Sequence, residues 1–179
     1  MSASLPASVD AERMVAGRRS FEGVLPVAEL PRLVQTLARD TGGVAYNLDF
    51  ERSQLGGLEL HVRLAARLIL ECQRTLEPFE YAVEIDARLG LLASEVDAVA
   101  LPESREPLLL EDGALQPRRV IEDELMLALP LVPVKPGSEM LQGEWNTSRQ
   151  VPHDAEMGEP VAHPFAGLKE LLGARAKRR

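Results

Sequence analysis

A chain of 179 residues with 45% hydrophobic side chains can bury one substantial core, which argues against two full domains. Its net charge of −8 excludes nucleic-acid binding over the whole surface, because proteins that bind in that way are usually basic. No apolar run reaches the roughly 20 residues that cross a bilayer, so we expect a cytoplasmic protein, and the single cysteine excludes an intramolecular disulfide.

The beginning of the chain predicts two helices and a strand. Asp10 is a suitable N-cap for a short helix that ends near Gly17, and residues 21–25 follow as a short strand. Apolar residues then recur at helical spacing, which predicts an amphipathic helix over residues 27–39. Pro31 lies in its first turn, where the missing amide is tolerated.

Three later stretches alternate apolar and polar side chains, with the period of a strand that buries one face. They cover residues 44–52, 58–72 and 79–92 and are separated by short turns, which predicts an antiparallel meander. The apolar face of this sheet matches the apolar stripe of the helix at residues 27–39. The predicted fold class is therefore α+β.

The alternation also predicts a register for the last two strands. If the numbers of paired residues sum to 151, Arg67 faces Glu84, a pair that helps to define the register. The same register places Arg63 opposite Arg88, which is unfavourable. A slip by two residues is the realistic alternative, because it keeps the apolar face inward.

The chain beyond the sheet predicts further elements. Residues 93–106 are acidic and indicate a long loop, and residues 108–110 indicate an edge strand. Residues 118–129 have the composition and spacing of a helix, although a strand over residues 125–134 is an open alternative.

The end of the chain predicts a linker and a docking helix. Residues 135–162 are rich in Pro, Gly, Ser, Glu and Gln, which indicates a mobile or disordered linker. Apolar residues at helical spacing predict a helix over residues 164–173. The predicted organisation is an α+β domain over residues 1–134, the linker, and a short C-terminal helix with a basic tail over residues 163–179.

One cluster of residues is suited to catalysis or metal binding. Glu122, Asp123 and Glu124 are adjacent carboxylates, which can bind a divalent cation or transfer protons, but the start of a helix explains the same residues. The three histidines are far apart in sequence, and neither glycine pair has the spacing of a phosphate loop. We therefore predict no catalytic residue, no metal and no cofactor.

The cysteine and the arginines of the predicted hairpin are candidates of a different kind. Cys72 falls on the apolar face, where a thiol is a packing residue rather than a nucleophile. Arg63, Arg67 and Arg74 lie on the polar face or at the turn. Each is explained as an ordinary solvated charge, but as a set they are candidates for binding phosphates. The acidic residues Glu122, Asp123 and Glu124 are candidates for binding a basic partner, because opposite potentials steer association.

Three segments carry motifs of a known family. They are residues 70–79, residues 121–133 and residues 163–169, and they occur in the family's order. The motif positions are Cys72, Arg74, Pro130, Pro133, Pro164 and Phe165. Together they resemble the bacterial YceD family, the large ribosomal RNA subunit accumulation proteins. Thr75 stands where this family often has a second cysteine, and Lys135 where a histidine is frequent, so neither missing residue is essential if the role is kept.

The resemblance implies a role in making, processing or stabilising large-subunit (23S) ribosomal RNA, without a known catalytic activity. We therefore expect a non-enzymatic factor of ribosome biogenesis. Its partner is expected to be this RNA or a basic large-subunit ribosomal protein, such as the zinc-ribbon protein that is typically encoded beside the family. The alternatives are a metal-dependent RNA-processing hydrolase that uses Glu122, Asp123 and Glu124, and a structural dimer through the edge of the sheet.

Overall fold

A computed structural model describes residues 5–53, 56–102 and 104–138, which form an α+β fold as predicted. The elements in chain order are β1 (Val9–Asp10), α1 (Ala11–Ala16), β2 (Ser20–Pro26), a 3₁₀ helix (Val27–Glu29), α2 (Pro31–Val34), β3 (Gly43–Arg52), β4 (Leu58–Glu71), β5 (Pro78–Leu92), a second 3₁₀ helix (Glu95–Ala100), β6 (Glu106–Leu109), β7 (Ala114–Leu115) and α3 (Pro117–Ala128).

Five strands form a mixed sheet in the order β2-β3-β4-β5-β6, and β1 pairs with β7 separately. Strands β2 to β5 are antiparallel, whereas β6 runs parallel to β5. The strands predicted at residues 44–52, 58–72 and 79–92 are confirmed to within one residue at each end. The short strand predicted at residues 21–25 is β2, and the edge strand predicted at residues 108–110 is β6.

One face of the sheet carries the core. Alternate side chains of β3, β4 and β5 are buried there, and α1 contacts β3 and β4 while α3 contacts β5. The largest fully buried side chains are Leu30, Leu33, Leu48, Phe50, Leu60, Leu68, Leu70, Ile121 and Leu125. The other face of β2 to β5, which we call the open face, carries most of the polar residues of the alternation.

The register predicted between β4 and β5 is wrong by two residues. Arg67 lies opposite Ala82 rather than Glu84. The turn explains the difference, because the Cys72 amide donates to the Glu77 carbonyl at 2.9 Å and closes the hairpin two residues earlier than predicted. The apolar face still points inward, since a slip by two preserves the alternation.

The continuous helix predicted at residues 27–39 is also wrong. The chain forms the 3₁₀ helix and then α2, which ends at Val34. Pro31 explains the interruption, because the residue before a proline is disfavoured in the α conformation. Leu30 accordingly has φ −112° and ψ 80°.

The later helices have different outcomes. The helix predicted at residues 118–129 is confirmed as α3. Because α3 continues to Ala128, the alternative strand over residues 125–134 is wrong for residues 125–128. No helix within the described ranges is long and apolar enough to cross a membrane. The helix predicted at residues 164–173 and most of the linker predicted at residues 135–162 lie outside the described residues, so the domain boundaries stay a prediction.

Candidate functional site

The turn between β4 and β5 contacts the segment that follows α3, so the first two motif segments meet in space. The Gln73 amide donates to the Pro133 carbonyl at 2.9 Å. The Lys135 ammonium group pairs with the Glu77 carboxylate at 2.8 Å. We call this contact region, residues 72–77 and 133–138, the motif junction.

Cys72 is fully buried in the motif junction, as its parity predicted. Its Sγ atom accepts a hydrogen bond from the Lys135 amide at 3.3 Å and lies 4.0 Å from the Ser138 hydroxyl. The bond from Lys135, followed by one from the Thr75 side chain, lowers the pKa of the thiol to about 6. The thiol therefore has a stabilised thiolate form but no exposed surface through which a reagent can approach.

Burial is expected to control the reactivity of Cys72. Iodoacetamide should modify the native protein at least about 100-fold more slowly than the urea-unfolded protein, because the reagent needs an opening of the junction. The measurement is the rate of mass increase. A Thr41→Cys variant places a second thiol at an exposed position outside the motif junction as a control, and this thiol should react rapidly. Equally fast labelling of both thiols in the native state would contradict a packing role.

Arg74 extends from the exposed side of the same junction. Its Nη1 atom donates to the Ser138 carbonyl at 2.9 Å, so the guanidinium holds the chain after α3 against the hairpin. Leu76, two residues later, has φ 57° and is 70% exposed. That Arg74 contacts a partner stays a prediction, and the contact with Ser138 is the role that the structure shows.

Arg63 and Arg67 lie on the open face of β4, and both form ion pairs. Arg63 donates to the Asp49 carboxylate at 2.6 Å and to the Asn47 side chain at 3.1 Å, both on β3. Arg67 pairs with Glu80 of β5 at 3.0 Å. These two guanidinium groups therefore already neutralise carboxylates of neighbouring strands.

The corrected register also removes the unfavourable contact between Arg63 and Arg88. Asp86 lies opposite Arg63, and His61 lies opposite Arg88. The His61 Nε2 atom is 2.6 Å from the Asp86 carboxylate, and this hydrogen bond lowers the pKa of Asp86. The observed register therefore replaces the unfavourable contact between Arg63 and Arg88 with a pair of opposite charges.

The three consecutive carboxylates of α3 do not converge on one point. The buried Glu122 carboxylate accepts the Arg32 amide at 2.6 Å and the Leu33 amide at 3.1 Å, and so caps the start of α2. Asp123 pairs with the Arg32 guanidinium. Within the described part of the chain, no group of three His, Cys, Asp or Glu side chains is placed to hold a metal ion. Glu122 and Asp123 therefore connect α3 to α2.

Glu124 is half-buried and is expected to weaken the native state at neutral pH. Burial raises its pKa above the ordinary value of 4.5, and the charges of Glu106 and Asp123 add to the effect. A raised carboxyl pKa means that ionisation is costly in the folded protein and less so in the unfolded protein. Glu124→Gln should therefore raise the unfolding midpoint at pH 7, and the gain should vanish as the pH falls below 4.5.

Urea unfolding of this variant across pH measures the effect. Glu84→Gln, at an exposed carboxylate of β5, is the control for the loss of one negative charge at a site that is not buried. A stabilisation by Glu124→Gln that is the same at pH 4 and pH 7 would contradict the electrostatic explanation.

An ion-pair network that the sequence did not reveal lies at the far end of the open face. Glu59 is only 2% exposed, and its carboxylate accepts from Arg88 at 3.0 Å and from Arg105 at 2.8 Å. A cavity of about 690 Å³ adjoins these side chains. A Cβ atom on Gly90 would lie 2.6 Å from the Leu101 side chain, so the glycine leaves room for the connection between β5 and β6 to pack closely on this end.

No local signal in the sequence predicts the burial of Glu59. Its position in the alternation is polar, and both of its partners are distant in sequence. Burial alone would raise the pKa of Glu59, but hydrogen bonds from Arg105 and Arg88 outweigh that effect and hold the pKa below its ordinary value. The carboxylate therefore stays ionised and links the sheet to the connection.

Comparison with known proteins assigns the family. The family described as "Large ribosomal RNA subunit accumulation protein YceD" matches residues 60–172, which include all of the motif positions. A protein of Haemophilus influenzae with the same description is 29% identical over 131 residues, which cover 73% of this chain and 75% of that protein. No solved structure matches significantly. The chain therefore belongs to the YceD family of large ribosomal RNA subunit accumulation proteins.

Proposed function

We propose that this protein is a non-enzymatic ribosome-biogenesis factor that supports the accumulation of large-subunit ribosomal RNA by binding a basic large-subunit ribosomal protein. The description of the family supports the choice of large-subunit ribosomal RNA as the RNA whose accumulation is affected. The nature of the partner is argued from charge, and the zinc-ribbon protein implied by the resemblance is one candidate.

The charge of residues 1–138, the range that contains all of the described residues, carries the proposal. Residues 1–138 contain 22 acidic and 14 basic side chains, so the whole net charge of −8 resides there. An acidic surface attracts basic proteins and repels phosphates, and opposite potentials raise the rate of association. The open face contributes strongly through exposed or half-exposed carboxylates, namely Glu22, Asp49, Glu51, Glu71, Glu80, Glu84 and Asp86.

The pairing of the arginines supports a protein partner over direct RNA binding. Arg63 and Arg67 would have to leave Asp49 and Glu80 before they could neutralise phosphates. Exposed ion pairs are weak and can exchange. The carboxylates would nevertheless remain on the same surface and repel the RNA. The geometry therefore favours the protein route of the two that the sequence left open.

The metal-dependent hydrolase has little support from the positions of its proposed residues. Glu122 is buried as the cap of α2, and Asp123 is paired with Arg32. A carboxylate that accepts two backbone amides is poorly placed to bind a cation or to activate water. This arrangement supports the proposal that the protein acts by binding.

A genetic experiment tests the general function. Deletion of the gene is expected to lower the amount of large-subunit ribosomal RNA and the ratio of large to small subunits, measured by RNA electrophoresis and sucrose gradients. Complementation with Glu122→Gln should restore both, because the amide oxygen can still cap α2. Unchanged RNA and subunit profiles in the deletion strain would overturn the proposal.

A binding experiment tests the partner. The purified protein is expected to bind one or more purified basic large-subunit ribosomal proteins, with an affinity that falls as salt rises. A triple variant, Arg63→Ala, Arg67→Ala and Arg74→Ala, should retain this binding. If the wild-type protein instead binds a large-subunit RNA transcript and the triple variant does not, the RNA route replaces the protein route.

A further inference from the structure

The strand β5 has an edge that is only partly covered. It spans Pro78–Leu92, but β6 pairs with it only from Leu89 to Leu92. Among the strands of the described residues, none pairs with the outer side of residues 78–88. We call this stretch the open β5 edge.

The parity of the ladder shows which backbone groups point outward. The Cys72 amide bonds to the Glu77 carbonyl, so the odd-numbered residues of β5 direct their backbone amides and carbonyls toward β4. The Leu110 amide bonds to the Leu92 carbonyl, so the even-numbered residues of β5 direct theirs away from β4. The even-numbered residues of the open β5 edge therefore direct their backbone polar groups outward. They are Glu80, Ala82, Glu84, Asp86 and, next to β6, Arg88, together with the carbonyl of Pro78. An exposed row of this kind is a template for pairing with another chain.

The side chains of the same residues make this edge acidic. Glu80, Glu84 and Asp86 are exposed on the open face. Arg67 neutralises Glu80 and His61 hydrogen-bonds to Asp86, whereas Glu84 lies opposite Ala65, which offers no charge. A second copy of this chain would bring carboxylates against carboxylates, which is unfavourable. The charges instead complement a strand with lysine or arginine at alternate positions.

The other face of the same stretch offers apolar contacts. Tyr81, Ile85 and Ala87 pack against the core but are only partly buried. A strand added at this edge would place its remaining alternate side chains beside them, because side chains of neighbouring strands on one face are in contact. The edge therefore fits a segment in which basic and apolar residues alternate.

We propose that the open β5 edge binds an extended segment of a basic protein by strand addition, with alternate basic side chains toward Glu80, Glu84 and Asp86. This inference rests on the proposed function, because it specifies how the basic partner is held. Main-chain hydrogen bonds provide affinity in this mode, and the two faces provide selectivity. The bound segment lies beside β5 on the same edge as β6, along the residues that β6 does not cover.

The first test is a proline at the edge. The Ala82 amide points outward, so Ala82→Pro removes no hydrogen bond from the native sheet but removes a donor that strand addition needs. Val24→Pro is the matched control, because Val24 is 70% exposed on β2 and its amide faces outward at the opposite edge of the sheet. Circular dichroism and thermal unfolding establish that both variants are folded.

The probe is a short fluorescent peptide of alternating Lys and Val, compared with a peptide of the same composition in which Lys and Val form separate blocks. The wild-type protein should bind the alternating peptide more tightly in fluorescence anisotropy. Ala82→Pro should weaken this binding by at least about tenfold, whereas Val24→Pro should leave it within about twofold. On binding, the amides of Ala82 and Glu84 should become protected from hydrogen exchange.

Two further measurements keep the result decisive. An alternating peptide that is N-methylated at every second residue cannot complete the ladder and should bind wild-type protein weakly, even if Ala82→Pro unfolds. Equal binding of the methylated and unmethylated peptides, or of wild type and a folded Ala82→Pro variant, would overturn strand addition. If wild-type protein still binds a purified basic ribosomal protein in that case, the proposed function stands without this site. If it binds neither peptide nor protein, both fail.

Discussion

Replacing Glu122 by alanine is expected to lower the free energy of unfolding by about 2 to 4 kcal/mol, because one buried and one partly buried amide lose their acceptor. The Glu122 carboxylate is 5% exposed and accepts from the amides of Arg32 and Leu33, which begin α2. Alanine leaves these donors without a partner and removes the contact between α2 and α3. Urea unfolding followed by circular dichroism measures the change.

Two control variants separate capping from catalysis. Glu122→Gln should lose less stability, because its side-chain oxygen can still accept from the amides. Asp123→Ala removes an ion pair whose side chains are 50% and 40% exposed and should cost no more than about 1 kcal/mol. If Glu122→Gln is as stable as wild type but no longer supports ribosomal RNA accumulation, the carboxylate has a chemical role and the capping explanation is insufficient.

Replacing Glu59 by alanine is expected to cost about 3 kcal/mol, since removal of one member of a buried ion pair leaves the other charges uncompensated. The Glu59 side chain is 3% exposed, while those of Arg105 and Arg88 are 25% and 41% exposed. Water can therefore solvate part of the arginines, which places the effect at the lower end of the range for buried pairs. The connection between β5 and β6 should also become sensitive to limited proteolysis.

The effect of Glu59 should depend on pH in a defined direction. Its pKa is lowered below 4.5 in the folded protein, so its contribution to stability is present above pH 4.5 and is lost as the pH falls through the folded value. The difference between wild type and Glu59→Ala should therefore shrink in acid. Glu51→Ala, at a 46% exposed carboxylate that pairs with the same Arg88, is the control and should cost much less. Equal losses for both variants would contradict the role of burial.

The strands illustrate how much of the fold is accessible from the sequence. The ends of β3, β4 and β5 were predicted to within one residue, because burial of one face imposes a period of two on consecutive side chains. The Asp10 cap of α1 was equally local, with its carboxylate accepting from the Arg13 amide at 2.8 Å. The motif residues were likewise sufficient to indicate the family.

The contacts of the candidate site residues were harder to predict from the sequence. Arg63 and Arg67 were correctly placed on the polar face, but their partners depend on the pairing of β3, β4 and β5. The acidic cluster was correctly placed in a helix but wrongly placed near its start, because α3 begins at Pro117 and has no acidic residue in its first turn. The engagement of Glu122 by α2 was not predicted either. The buried state of Glu59 and the open β5 edge had no local signal at all.

The sequence by itself determined which segments are strands, which side of each is apolar, and which family the chain belongs to, because these properties reside in neighbouring residues. The tertiary structure decided the register of β4 and β5, the function of Glu122 as a cap 89 and 90 residues away from its partners, and the extent to which β6 covers β5. A two-residue slip leaves the pattern of apolar burial unchanged, so the sequence pattern could not choose between the registers. The hydrogen bonds of the turn and the contacts between distant segments made that choice.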